Sequence, residues 1–145
     1  MENVSILRVQ AQDTHPLRLL VLRSGGKLED CIWPGDEEAD HWAVLVEREI
    51  LCIASYYEVP FQGENHAMQL RGMATHPDVQ GLGYGKELIL ATLKHYRDRG
   101  VKLIWCNARE VAVDFYRKLG FQVVSGAFDI EGVGTHYRMT CELVS

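Results

Sequence analysis

The chain has 145 residues, is 47% hydrophobic and carries a formal net charge of −5. That length fits one domain, residues 1–145, with a sizeable core, and the acidic balance argues against nucleic acid as a main partner. With no apolar run of 18 residues and no N-terminal apolar leader, neither a membrane span nor secretion is expected, and the expected compartment is cytoplasmic. Cys31, Cys52, Cys106 and Cys141 are widely spaced, without a C-x-x-C pair. The last three fall in strand-like runs, where cysteine acts as a small buried hydrophobe, and no disulfide framework is expected. Six histidines with these cysteines match no structural zinc spacing, so no metal is expected.

Val4, Ile6, Leu7 and Val9 predict a first strand over 3–10. Asp13-Thr14-His15-Pro16 supplies a capping residue and a proline suited to a first turn. Leu17, Leu20 and Val21 then continue as a short helix that ends by Gly25-Gly26. Residues 25–41 read as a loop holding Trp33-Pro34-Gly35-Asp36 and an acidic run from Asp36 to Asp40. That run is either a solvated surface or a lid over a binding site. Strands over 42–46 and 50–57 form a hairpin turned by Glu47-Arg48-Glu49, and 58–66 is a loop. A strand covers 67–75, with Pro77 limiting its extension.

The next helix, 83–99, shows an apolar stripe of Leu88, Ile89, Thr92, Leu93 and Tyr96 and stops at Gly100. Val101–Cys106 reads as a central strand buried on both faces. A second helix carries Ala112, Phe115, Tyr116 and Leu119 on one face, with Gly120 as its C-cap. Two more strands fall near 121–124 and 135–143. The order β-α-loop-β-β-β-α-β-α-β-β predicts an α+β domain with a mixed sheet.

Gln80-Gly81-Leu82-Gly83-Tyr84-Gly85-Lys86 stands between a strand and a helix. Glycines there let backbone N–H groups approach a ligand, and the helix N-terminus favours an anion such as phosphate. Spacing excludes a P-loop, because position 80 is Gln80 and the hydroxyl position is Glu87. The dinucleotide fingerprint also fails, because its third glycine position is Lys86. The pattern Gln/Arg-x-x-Gly-x-Gly/Ala fits in full.

Asn107 to Phe121 contains Ala112-x-x-x-Tyr116 on a helix and closes with Gly120-Phe121. These two segments, in this order, resemble the GNAT acetyltransferase superfamily, firmly over 66–126 and loosely before. The resemblance implies a mostly antiparallel mixed sheet, flanked by helices, with a splayed central parallel strand pair at 67–75 and 101–106 that admits the pantetheine arm of acetyl-CoA. It implies that the Met73-Ala74-Thr75 backbone pairs with that arm. It further implies that Gln80 and the N–H groups of Gly81, Leu82, Gly83, Tyr84, Gly85 and Lys86 hold the pyrophosphate, with the Lys86 side chain either adding charge or lying solvated.

By the same resemblance Tyr116 protonates the departing CoA thiolate, the alternative being an aromatic packed in the core. A tyrosine with the ordinary pKa of about 10 carries the required proton. The amine acceptor, with a pKa of about 10.4, is neutral in roughly one molecule in 2,500 at pH 7, so a base or water relay would help. Relatives often place a glutamate on the strand before the loop, but His66 to Met73 holds no carboxylate. Glu64, His66, His76, Tyr56 or water are the substitutes. Asn107 and Arg109 depart from the usual asparagine position, and either could face CoA. Arg23, Asp36 and His41 are candidate acceptor contacts or solvated side chains, and an arginine there would suit a substrate carboxylate.

The sequence therefore predicts an acetyl-CoA-dependent N-acetyltransferase acting on a small-molecule or protein amine by direct attack in a ternary complex, as monomer or homodimer. A non-catalytic acyl-CoA-binding module and an unrelated nucleotide-binding domain are the rivals.

Overall fold

The computed structural model describes residues 3–144. Its strands are β1 (Val4–Val9), β2 (Asp40–Val46), β3 (Glu49–Tyr57), β4 (Ala67–Thr75), β5 (Leu103–Arg109), β6 (Gln122–Val123), β7 (Phe128–Ile130) and β8 (Gly134–Glu142). The α-helices are α1 (His15–Leu17), α2 (Tyr84–Asp98) and α3 (Val113–Lys118). The strands follow the order β1-β2-β3-β4-β5-β8-β6, with β7 on β8. β4 and β5 run parallel over Ala67–Gln69 and Leu103–Trp105, whereas β1–β2, β2–β3 and β5–β8 are antiparallel. This is the expected mixed α+β sheet. Contacts group the chain into two compact units, Met1–Tyr57 with Leu70–Thr92, and Glu58–Gln69 with Leu93–Ser145.

In the first unit, Ala43, Val44, Cys52, Ile53 and Ala54 of the hairpin are fully buried. Its turn is one residue shorter than predicted. Glu47 and Arg48 both take positive φ, 51° and 71°, the pairing a two-residue hairpin turn needs, and Glu49 already belongs to β3.

The first predicted helix is corrected. A 3-10 turn, Ala11–Thr14, precedes α1, and Arg18–Leu22 then widens into a π-type turn. Asp13 accepts from the Gln10 N–H at 2.9 Å, so the capping sits upstream of the expected place. The wide turn directs Leu17, Val21 and Leu22 against Ala43, Ile53 and Ala74 and leaves Leu20 48% exposed. It also carries Arg18 wholly inside.

α2 follows its sequence pattern: Leu88, Ile89, Thr92, Leu93 and Tyr96 are all buried. Thr92 donates to the Leu88 and Ile89 carbonyls at 3.0 Å and stands 2.6 Å from the Tyr56 hydroxyl.

In the second unit, β5 begins and ends later than predicted, because β8 pairs with it from Leu103↔Glu142 to Arg109↔His136. Asn107 and Arg109 therefore lie within the strand. β7, absent from the sequence reading, forms a hairpin with β8. α3 ends in a Schellman motif: the Phe121 N–H reaches the Tyr116 carbonyl and the Gly120 N–H that of Arg117, both at 3.1 Å.

Candidate active site

The glycine loop lies in the first unit. β4 ends at Thr75, a 3-10 turn spans Pro77–Val79, and α2 opens with the Glu87 N–H bonded to the Gly83 carbonyl at 3.0 Å. Gly81 and Gly83 have φ of 82° and 89°, which only glycine adopts cheaply, and no atom lies within 4 Å of a Cβ built on either. Tyr84–Asp98 is a 15-residue helix, and the first turn of an α-helix directs its N–H groups out past the helix end. This loop has the open backbone and positive helix end that a pyrophosphate needs. The Gln80 side-chain amide donates to the Thr75 carbonyl at 3.2 Å, tying the loop to the strand. Lys86 and Leu82 are exposed, Ala74 is buried, and Met73 and Thr75 are half-buried. The Thr75 hydroxyl stands 3.3 Å from the Cys52 sulfur.

Tyr116, Asn107 and Arg109 lie in the second unit. Tyr116 is 6% exposed, with its ring centroid 5.2 Å from Phe115 and 5.3 Å from Phe121. Asn107 Oδ1 accepts from Arg138 Nε at 3.2 Å, whereas Arg109 is exposed at the end of β5.

The candidate bases fare unequally. Tyr56 is fully buried, its hydroxyl 2.6 Å from that of Thr92. His76 Nδ1 accepts the Asp78 N–H at 3.1 Å, so a neutral ring carries its proton on Nε2. Glu64 accepts the His66 N–H at 3.0 Å, and His66 is exposed.

Asp36 and His41 belong to a buried network in the first unit. Asp36 is 5% exposed, which corrects the solvated reading of its acidic run at that position. Its Oδ2 accepts from Arg18 Nη1 at 2.7 Å and from the Trp33 N–H at 2.9 Å. Its Oδ1 accepts from the Tyr57 hydroxyl at 2.5 Å and from Arg18 Nη2 at 3.2 Å. Burial pushes the Asp36 carboxyl up, but hydrogen bonds from Arg18, Tyr57 and Trp33, with the Arg18 charge, outweigh it and hold the group below its ordinary value. Burial, followed by the bond to Asp36, lifts the Tyr57 hydroxyl to about 12.

His41 Nε2 lies 2.8 Å from the Asp36 carbonyl and must donate to it, while Nδ1 meets the Ser55 hydroxyl at 2.7 Å. Both side chains are thus committed internally. Arg23 is half-buried, donates to the Leu22 carbonyl at 2.9 Å and lies over Trp33.

Sequence reasoning missed Arg18, Ser55, Tyr57 and Arg71. One signal was present: Arg18 directly follows Leu17 on a turn that is otherwise apolar, Leu19 to Leu22. Among the described residues no three metal-ligating side chains converge, and no helix is long and apolar enough to cross a membrane.

Known proteins resemble this chain in sequence and in fold. The Bacillus subtilis uncharacterized N-acetyltransferase YitI is 31% identical over 140 residues, covering 94% of both chains. Mycothiol acetyltransferase of Paenarthrobacter aurescens is 37% identical over 90 residues, 59% of this chain and 28% of that protein. Escherichia coli ElaA superposes with a TM-score of 0.78 at 18% identity, covering 98% of this chain and all of that one. The ribosomal-protein-S18-alanine N-acetyltransferase of Escherichia coli gives 0.75 at 16% identity, covering 100% and 96%. The profile of the acetyltransferase (GNAT) family matches residues 10–121, so this chain, with its glycine loop at the head of α2, belongs to the GNAT acetyltransferases.

Proposed function

We propose that the protein moves an acetyl group from acetyl-CoA to a primary amine of a small molecule or protein, by direct attack in a ternary complex. One observation carries this reading: the left-handed Gly81 and Gly83, open on their outer side, lead from β4 straight into the N-terminus of α2. Bound acetyl-CoA supplies a thioester. Met73–Thr75 would align its arm by backbone bonds, and the N–H groups of Gly81 to Lys86 would hold its pyrophosphate. As the amine nitrogen bonds the acetyl carbon, the C–S bond breaks and the Tyr116 hydroxyl gives its proton to the sulfur. Asn107 and Arg109 supply further polar groups near the end of β5. We treat both compact units as one catalytic domain, since the family profile runs through each.

The state of the thiols supports direct transfer. Burial, then the neighbouring Cys141, lifts Cys106 to about 12, and burial lifts Cys52 to about 11, so neither offers a thiolate nucleophile at neutral pH.

The test is a melting-temperature titration with acetyl-CoA against ATP and NAD⁺, followed by an amine screen read by free-thiol release. Acetyl-CoA at 100 times its Kd should add about 2.7 kcal/mol. Stabilisation by ATP or NAD⁺ but not acetyl-CoA would overturn the reading.

A further inference from the structure

We propose that Arg71 and Arg23, set around the Trp33 ring, form a carboxylate-binding site, and that the acceptor amine carries the carboxylate bound there. The second half of this statement rests on the acetyltransferase reading above. The first half stands on geometry within the first unit.

Three guanidinium groups surround one indole. The Cζ atoms of Arg18, Arg23 and Arg71 lie 3.7, 5.3 and 5.3 Å from the Trp33 ring centroid, and Arg71 also lies 5.1 Å over the Tyr57 ring. Only Arg18 has a carboxylate, that of Asp36. Both Asp36 oxygens are already occupied by Arg18, Tyr57 and the Trp33 N–H. Among the described residues no carboxylate pairs with Arg23 or Arg71. Contact with the aromatic faces offsets part of the repulsion between such charges, and an anion would remove the rest.

A second observation points the same way. Arg18 Nε is buried without a hydrogen-bond partner beside this cluster. A Cβ added at Gly72 would stand 3.6 Å from that nitrogen and 2.8 Å from the Trp33 ring. The missing side chain at Gly72, next to Arg71, is what lets the indole lie against β4.

The chemistry favours a carboxylate. Guanidinium donors match its two oxygens in one plane, and the Trp33 and Tyr57 rings suit an organic anion. Arg71 precedes Met73 by two residues on β4, so a ligand held there is beside the strand segment assigned to the pantetheine arm.

The experiment compares amino acids with their own decarboxylated amines: phenylalanine with phenethylamine, and lysine with cadaverine. Thiol release from acetyl-CoA gives kcat/KM for each, with wild type, Arg71→Gln and Arg23→Gln. Wild type should favour the carboxylated member by about tenfold or more. Each variant should lose activity mainly on that member, through KM, so that the preference shrinks towards one. A separate titration of tryptophan fluorescence without acetyl-CoA, with Trp33→Phe as control, reads binding alone. The amino acids should quench wild type saturably, and both arginine variants weakly. Melting temperatures establish that the variants fold, and Arg23→Gln provides the comparison if Arg71→Gln does not. Transfer without preference for the carboxylate overturns this proposal and leaves the acetyltransferase reading standing. Arginine-dependent quenching without any thiol release does the reverse. No arginine-dependent quenching with any of the carboxylates overturns the site.

Discussion

Arg18 and Asp36 form a two-point ion pair in the interior, with Nη1 2.7 Å from Oδ2 and Nη2 3.2 Å from Oδ1. Arg18 is fully buried and Asp36 nearly so, which makes the pair unforgiving. Removing one partner strands a charge in a dry site, at a cost of about 3–5 kcal/mol. Asp36→Ala should therefore lower the urea-unfolding free energy by that amount and the melting temperature by roughly 6–20 °C. A loss below about 1 kcal/mol, the range of exposed ion pairs, would show that water reaches Arg18.

Asp36 and Tyr57 set opposite pH limits. Asp36 is held below its reference of 3.8, so its stabilisation is complete above the unfolded value and is lost as pH falls through the folded one. Tyr57 is raised from 10.0 to about 12, so its contribution is complete below about 10 and is lost between about 10 and about 12. Urea midpoints measured from pH 9 to 12 should fall more steeply for wild type than for Tyr57→Phe. Parallel curves would contradict the coupling.

Tyr116→Phe removes a hydroxyl and keeps the ring that packs on Phe115 and Phe121. Loss of a positioned acid typically lowers kcat by about 10²–10⁴-fold. The expected result is that loss in thiol release, with stabilisation by acetyl-CoA unchanged. Retained turnover would assign Tyr116 to packing alone.

Two glycines separate backbone strain from steric clash. Gly83→Ala meets only the left-handed φ, about 1–2 kcal/mol, because the space around it is open. Gly72→Ala has φ of 68° and also drives a Cβ to 2.8 Å from Trp33, so it should destabilise more. Gly83→Ala should also weaken stabilisation by acetyl-CoA. Equal melting temperatures for the two variants would show that Trp33 moves aside freely.

The parts legible in the sequence were those set by neighbours along the chain. The stripe from Leu88 to Tyr96, the glycine run before α2 and the Gly120 helix stop depend on spacing within a few residues, and the structure has each of them. What escaped depends on distant partners. Arg18 finds Asp36, Ser55 and Tyr57 at separations of 18, 37 and 39 residues, and no local pattern announces them. β5 was misplaced at both ends because β8 decides its extent, and β7 was missed because it is three residues long and pairs only with β8. Asp36 looked solvated because its charged neighbours Glu37 and Glu38 are exposed while it alone turns inward.

The end of α3 has a kinetic consequence. The Tyr116 carbonyl accepts the N–H groups of Leu119 and Phe121, at 3.0 and 3.1 Å, and the Phe121 ring lies against that of Tyr116. All these contacts close within five residues, so the backbone of Tyr116 is fastened by its own short segment. Amide hydrogen exchange should find Phe121 among the protected sites of that segment, opening together with Tyr116 rather than with the distant strands.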